Sequence, residues 1–212
     1  MKLEKNCAKH LLSIKAVELR PTQPFTWTSG LKSPIYCDNR KTLSYPQLRT
    51  FIKEGMVHII KQYFADTEVI AGVATGAIAI GALVAETLGL PFIYIRSEEK
   101  KHGLTNLIEG VLQEGQKVVV IEDLISTGKS SLKAANAVQD AGAKVLGMVA
   151  IFSYLLPIAE EQFKNVDFQL FTLTNYDILI QQAVEENYIQ PSELETLAKW
   201  RENPAKWAEQ FN

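Results

Sequence analysis

Apolar positions along this chain follow two rhythms. Residues 4–18 place them at helical spacing, which predicts an amphipathic helix. From residue 68 onward, short continuous apolar runs take over: "EVIAGV", "FIYI", "KVVVIE", "KVLGMVAIFS" and "FQLFTL". A strand that faces water on one side alternates, whereas a strand covered on both faces does not. These runs therefore predict buried strands. Helices are predicted between them at 77–88, 129–141 and 157–164, and the tail from Pro191 also reads as helical. Ser44 as N-cap and Pro46 in the first turn predict a further helix from Pro46 to Phe64. Strands alternating with helices give an α/β fold: a doubly wound, mostly parallel sheet with helices on both faces. The whole chain, 1–212, reads as a single domain. Residues 1–45, including the turn-rich stretch 25–40, and the C-terminal tail stand outside the alternation and are expected to form a small cap. Ligands of such sheets bind beyond the carboxyl ends of the strands.

Composition narrows the picture. The 212 residues are 47% hydrophobic, enough for one good core. A net charge of -2 favours neither nucleic acid nor an anionic membrane, so any anion must be held by a local cluster. Cys7 and Cys37 lack the spacing of a zinc site or a disulfide framework. The N-terminus lacks the apolar stretch of a signal peptide, and a cytoplasmic location is expected. Residues 69–85 form 17 positions without a charge, but a membrane span needs roughly 20 apolar residues. Three glycines, Gly72, Gly76 and Gly81, make a strand, a turn and a helix the better reading.

The chemistry gathers at "VVVIEDLISTGKS", residues 118–130. An apolar strand is expected to end at Glu122 and Asp123, a loop to follow, and a helix to open near Lys129. A helix N-terminus presents free N–H groups and a partial positive charge, and so accepts phosphate. Ser126, Thr127 and Ser130 add hydroxyl donors. A nucleoside-triphosphate loop would need GxxxxGK followed by Ser or Thr. Gly128, Lys129 and Ser130 fit its end, but its first glycine would fall on Asp123, where a carboxylate repels a polyphosphate. Helix capping explains one acid near a helix start, not two followed by a hydroxyl-rich turn. Carboxylates accept hydrogen bonds from neighbouring sugar hydroxyls, and the turn takes a monophosphate. Together they describe a ribose 5-phosphate site.

An apolar run, two acids, two apolar residues and then S/T-T-G resembles the phosphoribosyl-diphosphate (PRPP) motif of type I phosphoribosyltransferases. A second constellation, "RSEEKKHGLTNLIEG" at 96–110, follows a neighbouring strand, and its Arg96, Lys100, His102 and Gly103 resemble the catalytic loop of orotate phosphoribosyltransferases. The stretch "FTWTSGLKSPIYCDNR", 25–40, resembles that family's N-terminal signature and implies part of an orotate pocket. The resemblance implies transfer of ribose 5-phosphate from PRPP to orotate. It implies Mg2+ held mainly through substrate, and a homodimer whose basic loop reaches into the neighbouring site. It also implies that Arg96, Lys100 and His102 contact diphosphate, with Lys100 and Asp123 catalytic. Glu122, Asp123, Leu124, Ile125, Ser126, Thr127, Gly128, Lys129 and Ser130 would hold PRPP, and Ser126 would also contact orotate. The chain departs from relatives in three places. Ser97 replaces a lysine found in some, Thr75 and Gly76 stand where some carry another, and Lys129 replaces a small residue. No nucleophile is evident, and His10 and His58 are expected at the surface. Catalysis should therefore come from positioning and charge stabilisation of a sugar cation. A purine-type phosphoribosyltransferase and a non-catalytic PRPP-binding regulator remain as alternatives.

Overall fold

A computed structural model describes residues 2–27, 29–98 and 107–211. The chain opens with α1 (Lys2–Ser13), β1 (Val17–Leu19), β2 (Phe25–Thr26), β3 (Lys32–Ser33) and β4 (Ile35–Cys37). A 3₁₀ turn (Asn39–Ser44) leads into α2 (Pro46–Tyr63). Then come β5 (Val69–Val73), α3 (Ile78–Leu88), β6 (Phe92–Ile95), β7 (Ile108–Glu109), β8 (Lys117–Ile125) and α4 (Lys129–Asp140). The chain closes with β9 (Lys144–Ser153), α5 (Pro157–Phe163), β10 (Gln169–Asn175), α6 (Tyr176–Glu185), α7 (Leu194–Glu202) and α8 (Pro204–Ala208).

Six strands form the central sheet in the order β10-β9-β8-β5-β6-β7, parallel except for β7. The unbroken apolar runs follow from what covers each face. Val119, Ile121, Val149 and Ile151 belong to a core shared with Ile52, Met56 and Ile60 of α2 and Ile80 and Val84 of α3. Their neighbours Val118, Val120, Met148 and Ala150 join the opposite core with Ala134, Ala135 and Val138 of α4. Residues of both parities are thus buried along the middle of these strands, so the runs do not alternate. Residues 69–85 are β5, a turn and most of α3. No described helix is long and apolar enough to cross a membrane.

Several boundaries differ from the sequence reading. The first helix ends at Ser13, not at 18. Lys15 turns the chain with a φ of 54°, Ala16 N–H donates to Leu11 O at 2.9 Å, and Val17–Leu19 pair antiparallel with Ile35–Cys37. The residue capping α2 is Tyr45, not Ser44, because Ser44 closes the preceding 3₁₀ turn. The strand expected to stop at the acids runs on to Ile125, since β9 continues to pair with it through Leu124↔Phe152 and Ile125↔Ser153. Strand β7 and helix α6 were not foreseen. Asn175 caps α6 by accepting from Ile178 N–H at 3.1 Å.

The two chain ends meet in an aromatic cluster. Trp200 of α7 is fully buried, with ring centroids 5.9 Å from Trp27, 5.6 Å from Tyr154 and 5.4 Å from Tyr176. Tyr154 directly follows β9, so the cluster seats the hairpin side and the tail beside the carboxyl end of the sheet. Helix α8 packs on β3, while α1 packs away from them on α6 and β10.

Candidate active site

Strand β5 has β6 on one side and β8 on the other, so the chain reverses its direction of travel across the sheet at β5. The space beyond the carboxyl ends of β5 and β8 is the crevice where doubly wound sheets hold ligands. The last pair between these strands is Gly72↔Ile121, after which β8 runs on alone on that side. Glu122 and Asp123 come next.

The two acids do different things. Successive strand residues point to opposite faces. Glu122 turns inward and is 4% exposed. Its Oε2 accepts from Ser131 Oγ at 2.8 Å and its Oε1 from Asp123 N–H at 3.0 Å. Burial, and then the neighbouring Asp123 carboxylate, push its carboxyl well above the usual range. Asp123 is half-buried, and its carboxylate fills the space a Cβ at position 76 would occupy. Glycine at 76 is what allows that approach, and a lysine there could not coexist with this Asp123 position. Both acids were expected to hold PRPP, and the fold makes Glu122 an internal buttress and Asp123 a crevice carboxylate.

After Ile125, residues Ser126–Gly128 form the turn into α4. Gly128 stands at the cap position with a φ of 82°, a region that favours glycine, and a Cβ there would crowd the Phe163 ring at 3.0 Å. No side chain caps this helix, and no acid lies in its first turn. Its N–H groups and positive end face the crevice unmasked. Thr127, Lys129 and Ser130 are exposed, Ser126 and Leu124 are half-buried, and Ile125 is fully buried. The turn therefore has the donors for one phosphate, while Ile125 serves packing. A separate hollow of 710 Å3 beside α5 and β10 is lined largely by Ile125, Phe163, Phe168, Leu170 and Phe171, walls unsuited to a sugar phosphate.

A residue the sequence reading did not single out completes the site. Asn39 is 2% exposed, and its Nδ2 donates to the Asp123 carbonyl at 2.5 Å. Only the amide nitrogen can donate to a carbonyl, which fixes the orientation. Asn39 Oδ1 is buried without a hydrogen-bond partner among the described residues. The stretch 25–40 was selected by resemblance, yet nothing in its pattern marks a partner 84 positions away. Beside Asn39, the Arg40 guanidinium bonds Asp38 at 2.7 Å and holds that carboxyl below its usual range.

Arg96 lies at the end of β6. Its N–H donates to Leu107 O at 2.8 Å, and its guanidinium is 3.4 Å from the Glu109 carboxylate. Lys133 of α4 donates to Ser97 O at 2.8 Å, tying the start of the basic segment to the helix that begins at the phosphate turn. Lys100, Lys101, His102 and Gly103 lie outside the described residues. His10 and His58 are exposed, and both cysteines are free thiols.

Magnesium takes oxygen ligands. Asp123 offers a carboxylate at the crevice. Among the described residues there is no group of three or more His, Cys, Asp or Glu able to cage an ion. The Asp123 carboxylate is a donor of the kind that ion takes.

A phosphoribosyl transferase domain model matches residues 45–186. The chain is 56% identical over 205 residues to an orotate phosphoribosyltransferase of Porphyromonas gingivalis, covering 97% of this chain and 98% of that protein. It is 53% identical over 207 residues to an orotate phosphoribosyltransferase of Listeria monocytogenes, covering 98% and 99%. Among solved structures, an orotate phosphoribosyltransferase from Aeropyrum pernix superimposes with a TM-score of 0.74 at 25% identity, covering 86% of this chain and 99% of that one.

Proposed function

The chain belongs to the orotate phosphoribosyltransferase family, and on that premise we propose how its residues divide the work. It transfers ribose 5-phosphate from PRPP to orotate, releasing diphosphate and forming orotidine 5'-monophosphate, a step of pyrimidine biosynthesis. One observation carries the assignment of the site: the Asp123 carboxylate stands in the β5–β8 crevice beside the uncapped start of α4. A carboxylate for sugar hydroxyls and a phosphate cradle lie one turn apart.

Ser126, Thr127, Gly128, Lys129 and Ser130 hold the 5-phosphate through backbone N–H groups and hydroxyls. Leu124 and Ile125 set the turn's position, and Ser126 also contacts orotate. Asp123 accepts from ribose hydroxyls and places negative charge near the anomeric carbon as it gains cationic character. Glu122 supports Asp123 from inside. Arg96, Lys100 and His102 meet the leaving diphosphate, where negative charge grows fastest. Magnesium, when bound, supplies positive charge to diphosphate and ribose oxygens. Orotate brings an acidic N1 site, so no strong general base is required. The turn-rich stretch 25–40 and the tail cap the crevice over the base, while α1 packs elsewhere. The working form is a cytoplasmic homodimer in which each basic loop serves its neighbour's site.

The test is an assay of diphosphate release with PRPP, magnesium and a panel of bases. Release is expected with orotate, and its loss on chelation is expected too. Efficient use of adenine or xanthine with none of orotate would favour the purine-type alternative. PRPP binding without turnover of any base would favour the regulator.

A further inference from the structure

We propose that Asn39 is a positioning residue for Asp123, and that it links the base-side segment of the chain to the sugar-side carboxylate. The inference rests on reading Asp123 as the ribose carboxylate. β8 outlasts β5 by several residues, the last pair being Gly72↔Ile121. Beyond it, the peptide groups of Asp123 are taken by side chains. Its N–H goes to Glu122 Oε1 at 3.0 Å, and its carbonyl receives Asn39 Nδ2 at 2.5 Å.

Both clamps are anchored elsewhere. Glu122 is fixed by Ser131 of α4 at 2.8 Å. Asn39 opens the 3₁₀ turn, where Thr42 Oγ1 donates to its carbonyl at 2.6 Å. Two residues before Asn39 is Cys37, the last residue of β4. Any displacement of β4 would thus reach the residue that orients the sugar through one buried amide. Asn39 spends its donor on the Asp123 carbonyl, while its own Oδ1 has no partner among the described residues. An aspartate of the same shape would set an acceptor against the Asp123 carbonyl. The position therefore demands a donor, not only a volume.

Four proteins test the link: Asn39→Ala, Asn39→Asp, Asp123→Asn and the Asn39→Ala/Asp123→Asn double variant. Each is compared with wild type for kcat, for KM of PRPP and orotate, for PRPP binding by calorimetry, and for melting temperature. Asn39→Ala is expected to lower kcat/KM about tenfold, mostly in kcat, as for loss of one well-placed hydrogen bond. Asn39→Asp is expected to lose at least as much despite its equal volume. In the Asp123→Asn background the alanine change is expected to cost less than about twofold, since residues acting through one another are not additive. A folded Asn39→Asp protein with near wild-type kinetics would overturn the proposal. So would an alanine cost that is the same factor in both backgrounds, and this second comparison decides alone if the aspartate variant does not fold. Failure of the functional reading looks different: the wild-type protein itself would show no orotate-dependent turnover. The calorimetric cycle on PRPP then still measures the Asn39–Asp123 coupling.

Discussion

Glu122 shows how one buried side chain sets a measurable pH dependence. An unfolded chain gives a glutamate a pKa of about 4.3. Burial and the adjacent Asp123 carboxylate raise it in the fold. Between those two values the native protein binds more protons than the unfolded chain. Stability therefore falls as pH rises through that window. A glutamine cannot ionise, keeps an acceptor for Asp123 N–H, and can still bond the Ser131 hydroxyl, which rotates to suit. Glu122→Gln is expected to melt close to wild type at pH 4.5 and progressively above it toward pH 8. The check is the difference in melting temperature between the two proteins across that range, which cancels all other titrating groups. A difference that stays flat, or runs the other way, would mean that Glu122 is ionised inside the fold.

At the scale of elements, the parallel strands and their helices were legible because burial on both faces leaves a composition signal along each strand. Where an element's end depends on a partner elsewhere in the chain, the sequence was silent. Glu122 and Asp123 look like the end of a strand, yet β9 carries the ladder on to Ile125. Lys15 has nothing in its side chain to announce a helix stop, and the antiparallel partner of β1 lies some twenty residues further on. The candidate site was legible in its turn chemistry and not in its supports. Asn39, Ser131 and Gly76 act through contacts across the fold. The aromatic anchor of α7 belongs to the same unreadable class. Trp200 is fully buried, and its indole N–H has no partner among the described residues. Trp200→Ala is expected to cost about 3–5 kcal/mol by opening a cavity. Trp200→Phe is expected to cost far less, because it removes the unpaired donor along with the volume. Denaturant midpoints of the two variants decide. Equal losses would show that the indole ring's full volume, not the cluster's general packing, holds the tail to Trp27 and Tyr154.

The whole molecule poses the question of which chain completes which site. The crevice of one chain contains Asp123, the phosphate turn and Asn39, and Arg96 marks where the basic segment leaves β6. The segment that carries Lys100 and His102 is read from sequence alone, and the family resemblance assigns it to the neighbouring site. Mixing two inactive proteins tests that assignment. Asp123→Asn removes the sugar carboxylate's charge and is expected to lower activity by roughly 100-fold or more. Lys100→Ala removes a cation from the leaving diphosphate. In a dimer built from one of each, shared sites would give one defective site carrying both changes and one intact site. The intact site joins a normal Asp123 from one chain to a normal Lys100 from the other. Equal amounts under subunit exchange make half the dimers mixed, and each has one good site in two. Activity is expected to return to about a quarter of wild type in a two-fold symmetric dimer. If each loop serves its own chain, every site keeps one lesion and the mixture stays as inactive as its parents. Exchange is verified separately with differently tagged chains, so an absence of recovery then excludes shared sites rather than mixing.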